Sequence, residues 1–482
     1  MEQLKYTNED RSFRRLMGCM AAALLLFYMI CPVAPLRWAD LYASYGKTLI
    51  IAMAAIYFFK CRLSGCIETK IVIAYTAWLF ITRLLNTDLY LQNDLELVIS
   101  RILCCVIFPV GMLLSTDERR KLLDFVIAIC CAFFLVTALM GLYASVFGVY
   151  FYLPPEDVVF GIDSNYFSNS FSYIVAWGTN RTISAVWFYL GWCMMAYEFF
   201  RCKNKLWRIP IGIVWFIFHL TLAFCYCRSL MLAACVNVAM LIILLGLNCI
   251  KSRKSAAKII AIFLIAAISL PICYKSFELL RGGTAIVYNA MDTDVERIAD
   301  EYMSESFKKN AQDGQTFDDS RDLKTSVSNI SNRGEIYASV IPTLKEDPMR
   351  MLIGKYNSKI MDVPHLFQSY PYYHMHNFLL QVLMLTGIPG LLLVLAFTVL
   401  MVVKMIRLFF SEKEGAALEV KLLSLPLSGI FIYGMFEIIL FTASADERAL
   451  TDFRELCFFL LAGIFLGFYY ELFPPKKKIK NK

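Results

Sequence analysis

Apolar residues recur along this chain in runs of about 18–22, separated by short polar connections. At 1.5 Å per helical residue each run is long enough to cross a bilayer core. The pattern predicts spanning helices at 15–33, 42–59, 69–87, 97–115, 122–150, 179–200, 207–226, 228–250, 256–275, 374–403, 418–441 and 452–473. Only one connection is long, running from 276 to 373. Within it, 294–307 reads as a helix with Val295, Ile298, Met303 and Phe307 on one face, and 308–331 is polar, repeat-free and expected to be mobile. Asn332 with Glu335 resembles a capping pair ahead of a stripe of Ile336, Val340 and Leu344, in a helix that Pro342 should kink or shorten.

Charge orients these spans. One set of connections is basic: Lys60, Arg62 and Lys70; Arg119, Arg120 and Lys121; Arg201, Lys203, Lys205 and Arg208; Lys251, Arg253, Lys254 and Lys258; Lys404, Arg407 and Lys413. The tail, with Lys476, Lys477, Lys478, Lys480 and Lys482, joins that set. The alternate connections at 86–96, 151–179 and 442–451 are acidic, aromatic or short. Positive charge is retained on the cytoplasmic side, so both termini are expected there, with the long connection outside. Lys5, Arg11, Arg14 and Arg15 precede a first apolar run that reads as a span that stays attached, not a cleaved signal. The expected fold class is an all-α polytopic membrane protein of about 12 transmembrane helices with one large, partly helical external loop. Residues 1–275 would hold helices one to nine, 276–373 the loop, and 374–482 helices ten to twelve with a basic cytoplasmic tail.

Composition agrees. With 59% hydrophobic and 18% charged residues, the chain lies outside the range of soluble globular domains. The net charge of +8 sits in clusters between apolar runs, so it describes topology and not a nucleic-acid partner. The sixteen cysteines form no framework; Cys19, Cys104, Cys105, Cys130, Cys131, Cys235 and Cys249 fall inside apolar runs and read as buried free thiols.

Chemistry concentrates near the outer ends of the spans. Three of the four histidines, His365, His374 and His376, fall within twelve residues, and His376 opens the tenth span. Arg83, Arg101, Arg181 and Arg228 stand at or just inside outer span ends, where positive charge is disfavoured unless paired or solvated. Together with Arg333 they read as a site for an anion, since guanidinium pairs phosphate in a bidentate fork. An anionic, pyrophosphate-linked lipid is the natural ligand at that depth. Metal binding is the competing reading, through Asp292-Thr293-Asp294 or His374-Met375-His376, although Asp294 equally suits a helix N-cap. Glu437 is an acid inside the eleventh span and so a functional candidate with no partner readable from sequence.

Arg333-Gly-Glu-Ile-Tyr-Ala338, Asp347-Pro348, Ile353-Gly354, His374-Met-His-Asn-Phe-Leu-Leu-Gln381 and Gly387-Ile-Pro-Gly390 resemble the O-antigen ligase/polymerase family. That family has a large external loop ending in a His-Asn pair that starts a helix with a Gly-x-x-Gly break. Arg228 in Cys227-Arg-Ser-Leu230 looks like the family's Ser-Arg-Gly arginine, and Arg181 like the arginine after the earlier external loop. Tyr337 stands where a tryptophan is usual, Ser229 where the family has glycine, and Gly354-Lys355 lacks the common Gly-x-Gly.

The resemblance implies a metal-independent, inverting glycosyltransferase of the cytoplasmic membrane, with no cofactor. Its donor would be an undecaprenyl-pyrophosphate-linked glycan, its acceptor a glycan or lipid, and a chain-length regulator protein a further partner. His376 would be the base, and Arg228 and Arg333 the charge stabilisers. Arg181, His374, Asn377 and Arg101 would bind substrate, Asn377 equally suiting a helix cap. Polymerisation of repeat units is the first reading. A ligase, a lipid-linked glycan flippase or other transporter, and a metal-dependent polyprenyl-phosphate glycosyltransferase are the alternatives; the last lacks acids in the first external loop beyond Asp40.

Overall fold

The computed structural model describes residues 8–30, 49, 51–56, 66–86, 102, 104–147, 151–153, 157–162, 174–176, 181–225, 227–249, 256–290, 337, 340–354, 375–412, 418–437, 439–441 and 453–474. Its helices are α1 Asn8–Ile30, α2 Ile67–Leu85, α3 Cys104–Leu113, α4 Thr116–Phe147, α5 Arg181–Arg201, α6 Lys205–Cys225, α7 Arg228–Cys249 and α8 Ala256–Ala290. After these come α9 Pro348–Ile353, α10 Phe378–Phe409, α11 Leu418–Leu422, α12 Ser424–Gly434 and α13 Phe453–Leu472. The polytopic all-α class holds, and 7 helices among the described residues are long and apolar enough to cross a membrane. One addition was not foreseen. Strands β1 Phe151–Leu153, β2 Asp157–Ile162 and β3 Ile174–Ala176 form a small antiparallel sheet in the order β1-β2-β3 within the second non-basic connection.

Several ends follow from local chemistry. At the start of α4, Glu118 reaches back to accept from both the backbone N–H and the hydroxyl of Ser115, at 3.1 and 2.8 Å, the glutamate half of a capping box. Asp347 caps α9 through the N–H of Arg350, with Pro348 in the first helical turn. Helix α8 runs fifteen residues beyond its expected end at 275, so the long connection begins as a helical extension. Of the expected stripe in that connection, Val340 and Leu344 lie in a helical stretch over 340–346 that carries Pro342 and stops ahead of Pro348. Val340 packs on Met375 and Met384. The expected helix at 294–307, the segment 308–331, the capping pair Asn332 and Glu335, and Ile336 lie outside the described residues.

The chain divides into two compact units, Met1–Ile30 with Trp38–Val126 and Asn329–Lys482, and Cys31–Arg37 with Ile127–Ser328. In the second unit α5 pairs with α6, α7 pairs with α8, and α6 also meets α8. Helix α8 turns Ile260, Leu264, Ile268 and Ile272 outward, as a helix facing hydrocarbon should. Five of the seven cysteines expected to be buried are buried; Cys19 and Cys249 are exposed on helix surfaces.

In the first unit α10 packs on α2, α9 and α12, while α13 packs on α1 and α12. Its centre is aromatic. Phe441 stands edge-on to Tyr75, Phe397 and Phe459, with ring centroids 5.2–5.3 Å apart, a geometry that sets ring edges against ring faces. Two glycines lock the short α9 onto α10. Gly354 (φ 69°, ψ 172°) and Gly387 (φ 68°, ψ −170°) occupy a region that only glycine enters easily. A Cβ on Gly387 would lie 2.6 Å from the Leu352 carbonyl, and one on Gly354 would collide with the backbone of Leu385. The Gly-x-x-Gly break is thus the seat of the helix that precedes it.

The opposite end of this unit, assigned to the cytoplasm by the positive-inside pattern, holds a buried ionic network. Glu68, fully buried, pairs with Lys404. Tyr470 donates to Glu68 and accepts from Lys404, both at 2.8 Å. Beside it Arg119, 2% exposed, donates to the Gly111 and Leu114 carbonyls at 2.7 Å and pairs Glu471 at 3.0 Å. It thereby closes the C-terminal end of α3.

Two consequences can be measured as thermal midpoints in detergent. Gly354→Ala and Gly387→Ala should each destabilise the protein by about 1–3 kcal/mol from backbone strain alone, with the steric clash added. Lys404→Met should cost roughly 3–5 kcal/mol by stranding Glu68, and a second change, Glu68→Gln, should return most of that loss.

Candidate functional site

The backbone around His376 is held in an unusual conformation. His376 has φ 47°, in the left-handed region that a residue with a Cβ enters only under constraint. Three groups supply that constraint. Tyr337 donates its hydroxyl to the His376 carbonyl at 3.0 Å, and Gln381 accepts from the Met375 N–H at 2.9 Å. Asn377, the N-cap of α10, accepts from the N–H groups of Leu379 and Leu380 at 3.0 and 3.1 Å. Its amide nitrogen donates to the Met435 carbonyl at 2.9 Å. Asn377 therefore caps one helix and ties it to another. The expected start of the tenth span at 374 moves to 378, because the capping geometry begins the helix after Asn377.

The eleventh span corrects the sequence expectation. In place of one helix over 418–441, α11 and α12 follow one another, and α12 ends at Gly434 with Met435 as its C-cap. Residues 435–437 are turn and bend and 439–441 are irregular, with Phe441 at φ 57°. The freed backbone groups find partners. Met435 O takes Asn377, Phe441 O takes the Tyr75 hydroxyl at 2.5 Å, and Phe441 N donates to the buried Glu455 at 2.8 Å. An unwound segment at membrane depth persists only when protein groups meet its needs in this way.

The unwinding gives Glu437 its partner. Its Oε2 stands 3.1 Å from Nδ1 of His376. The histidine side chain is 24% exposed and the glutamate 12%, so the carboxylate sits behind an imidazole whose surface remains partly open. Sequence reasoning singled out both residues without joining them. Glu455 and Arg454, both buried at the head of α13, were missed, although an acid and a base inside an apolar run are the same signal that flagged Glu437.

The arginines distribute as follows. Arg228 is the first residue of α7 and exposed, and Arg181 is the first residue of α5. Both belong to the second unit, at the starts of the helices that pair with α6 and α8. Helix N-termini carry partial positive charge, so a cation there is poorly placed for stability and well placed for an anion. Arg83 is buried in the last turn of α2 in the first unit, which also holds His376, Asn377 and Glu437. Arg101, Arg333, His374, Asp292 and Asp294 lie outside the described residues.

Comparison with known proteins supplies the class. No curated protein matches the chain. A family model described as O-antigen ligase matches residues 211–395, a segment that carries Arg228, Gly354, His376, Asn377 and Gly387. These are residues on which the sequence resemblance rested, and the matched segment includes the capped helix start and the glycine break. The chain is thus a multi-span membrane protein whose residues 211–395 are similar to the O-antigen ligase family.

Proposed function

We propose that the protein polymerises undecaprenyl-pyrophosphate-linked oligosaccharide repeat units on the outer face of the cytoplasmic membrane. The observation that carries this reading is His376, held in a left-handed conformation by three hydrogen-bonding side chains inside the segment that matches the O-antigen ligase family. Strained backbone of this kind persists where surrounding structure enforces it, and it marks functional positions.

The chemistry needs few groups. Pyrophosphate leaves readily, so the donor requires charge stabilisation more than a strong acid. Arg228 and Arg181 supply it from helix N-termini, with Arg333 from the long connection. His376 accepts the proton of the incoming sugar hydroxyl, the general-base role for which histidine is most often used. One displacement inverts the anomeric centre, and no metal or cofactor takes part. Arg101, His374 and Asn377 complete the binding surface on this reading. A chain-length regulator protein is the partner that such a polymerase would need. Ligation of a finished glycan to a lipid or surface acceptor is the second reading, because the matching family model is described as O-antigen ligase.

Deleting the protein in its own host separates them. Persistence of single repeat units identifies a polymerase, whereas long chains accumulating on the lipid carrier identify a ligase; unchanged glycans would return a transporter to first place. His376→Ala should lower transfer by roughly 10²–10⁴-fold at unchanged expression, and wild-type transfer would remove the base assignment. Arg228→Ala should cost roughly 10²–10³-fold, only partly restored by lysine, which lacks the bidentate fork.

A further inference from the structure

We infer that Glu437 is a positioning residue for the transfer reaction, fixing the tautomer and orientation of His376; this rests on the proposed role of His376 as base. The geometry is specific. Glu437 lies three residues beyond the end of α12, and the ring nitrogen it faces at 3.1 Å is Nδ1. An ionised carboxylate can only accept a hydrogen bond, so Nδ1 carries the proton in this pair and Nε2 keeps its lone pair. Free imidazole has no such preference enforced on it.

The backbone on either side of the pair is built to hold it. Asn377, adjacent to His376, bonds the carbonyl of Met435, two residues before Glu437, so the two segments are fastened to one another beside the contact. Beyond Glu437, the chain is fastened again at Phe441 by Tyr75 and Glu455. A helix continued past Gly434 would leave the Met435 carbonyl to an intrahelical partner and remove this tie. The break in the eleventh span therefore serves to deliver a carboxylate to the histidine.

In the reaction the acceptor O–H gives its proton to Nε2 of His376 while its oxygen bonds to the anomeric carbon of the donor. The bond from that carbon to pyrophosphate breaks, and the lipid pyrophosphate leaves with the electron pair. The imidazolium so formed carries its new positive charge 3.1 Å from the Glu437 carboxylate, which stabilises it without receiving the Nδ1 proton. Glu437 touches no reacting atom.

The test uses the full-length protein in detergent with lipid-linked repeat units purified from the deletion strain. Glu437→Met and Glu437→Gln are compared with His376→Gln. Glu437→Met should lower kcat by roughly 10- to 10³-fold while leaving the donor KM within about twofold. Glu437→Gln, which retains an acceptor and loses the charge, should lose at least about tenfold in kcat. In ¹⁵N-histidine spectra, the resonance assigned to His376 by its absence in His376→Gln should report a protonated Nδ1 in the wild type and Glu437→Gln. In Glu437→Met it should move toward the Nε2-protonated form. Wild-type kcat in Glu437→Gln overturns the inference, as does a loss confined to KM or an unmoved tautomer in Glu437→Met. If Glu437→Met does not fold, Glu437→Gln alone decides. Full activity in His376→Gln instead removes the base assignment beneath it, so the two failures are told apart.

Discussion

Every backbone N–H and C=O inside a bilayer needs a partner from the protein, since lipid offers none. The first unit is organised around two places where helical geometry cannot provide one. At Gly387 the break in α10 releases the Thr386 carbonyl, and Trp78 on α2 donates to it at 2.7 Å. After Gly434, Asn377, Tyr75 and Glu455 play the same part for the unwound segment. These side chains come from α2, α13 and the head of α10, so each break joins helices distant in sequence. The second break is also where the candidate site sits. Irregular backbone allows a side chain to leave the face that helical periodicity would assign it, which is how Glu437 meets His376.

The ionisable groups of this unit fall into two populations. At the inner end Glu68, Lys404, Tyr470, Arg119 and Glu471 satisfy one another with almost no exposure to solvent for Glu68 and Arg119. Such a network fixes helix register and rotation and leaves little capacity for a ligand. At the other end of α10, His376 has one nitrogen facing a carboxylate and a partly open surface. The helix is thus clamped at one end and carries the candidate site at the other.

Much of this was legible in the sequence. Where a span is a single apolar run with a charged or capped end, as in α2, α6, α7 and α13, the expected and observed bounds differ by a few residues at most. The failures have a shared physical origin. The eleventh span reads as one helix because Met435, Phe436, Ile438, Ile439 and Leu440 are apolar, and hydropathy is blind to whether the backbone groups beneath are bonded along the helix or across to a neighbour. The short sheet at 151–176 escaped because strands so brief carry little periodicity. His376, Asn377 and the Gly387 break were visible as a motif; that Gly354 and Gly387 face one another was not, since contact across 33 positions leaves no local trace. Glu437 was visible as an anomaly, and only the fold supplied its partner.

The first unit is discontinuous in the chain, its helices drawn from both sides of the 127–328 segment, which with 31–37 makes the second unit. Glu68 and Tyr470, bonded in the folded protein, lie 402 residues apart. A ribosome feeding this chain into a membrane therefore releases α2, with its buried acid, long before the lysine and tyrosine that neutralise it have been made. Until α10 and α13 emerge, Glu68 is without the Lys404 and Tyr470 side chains that it meets in the finished fold. The order of synthesis makes the last helix the keystone: truncation within α13 would leave the earliest helices without the partners that the finished fold gives them.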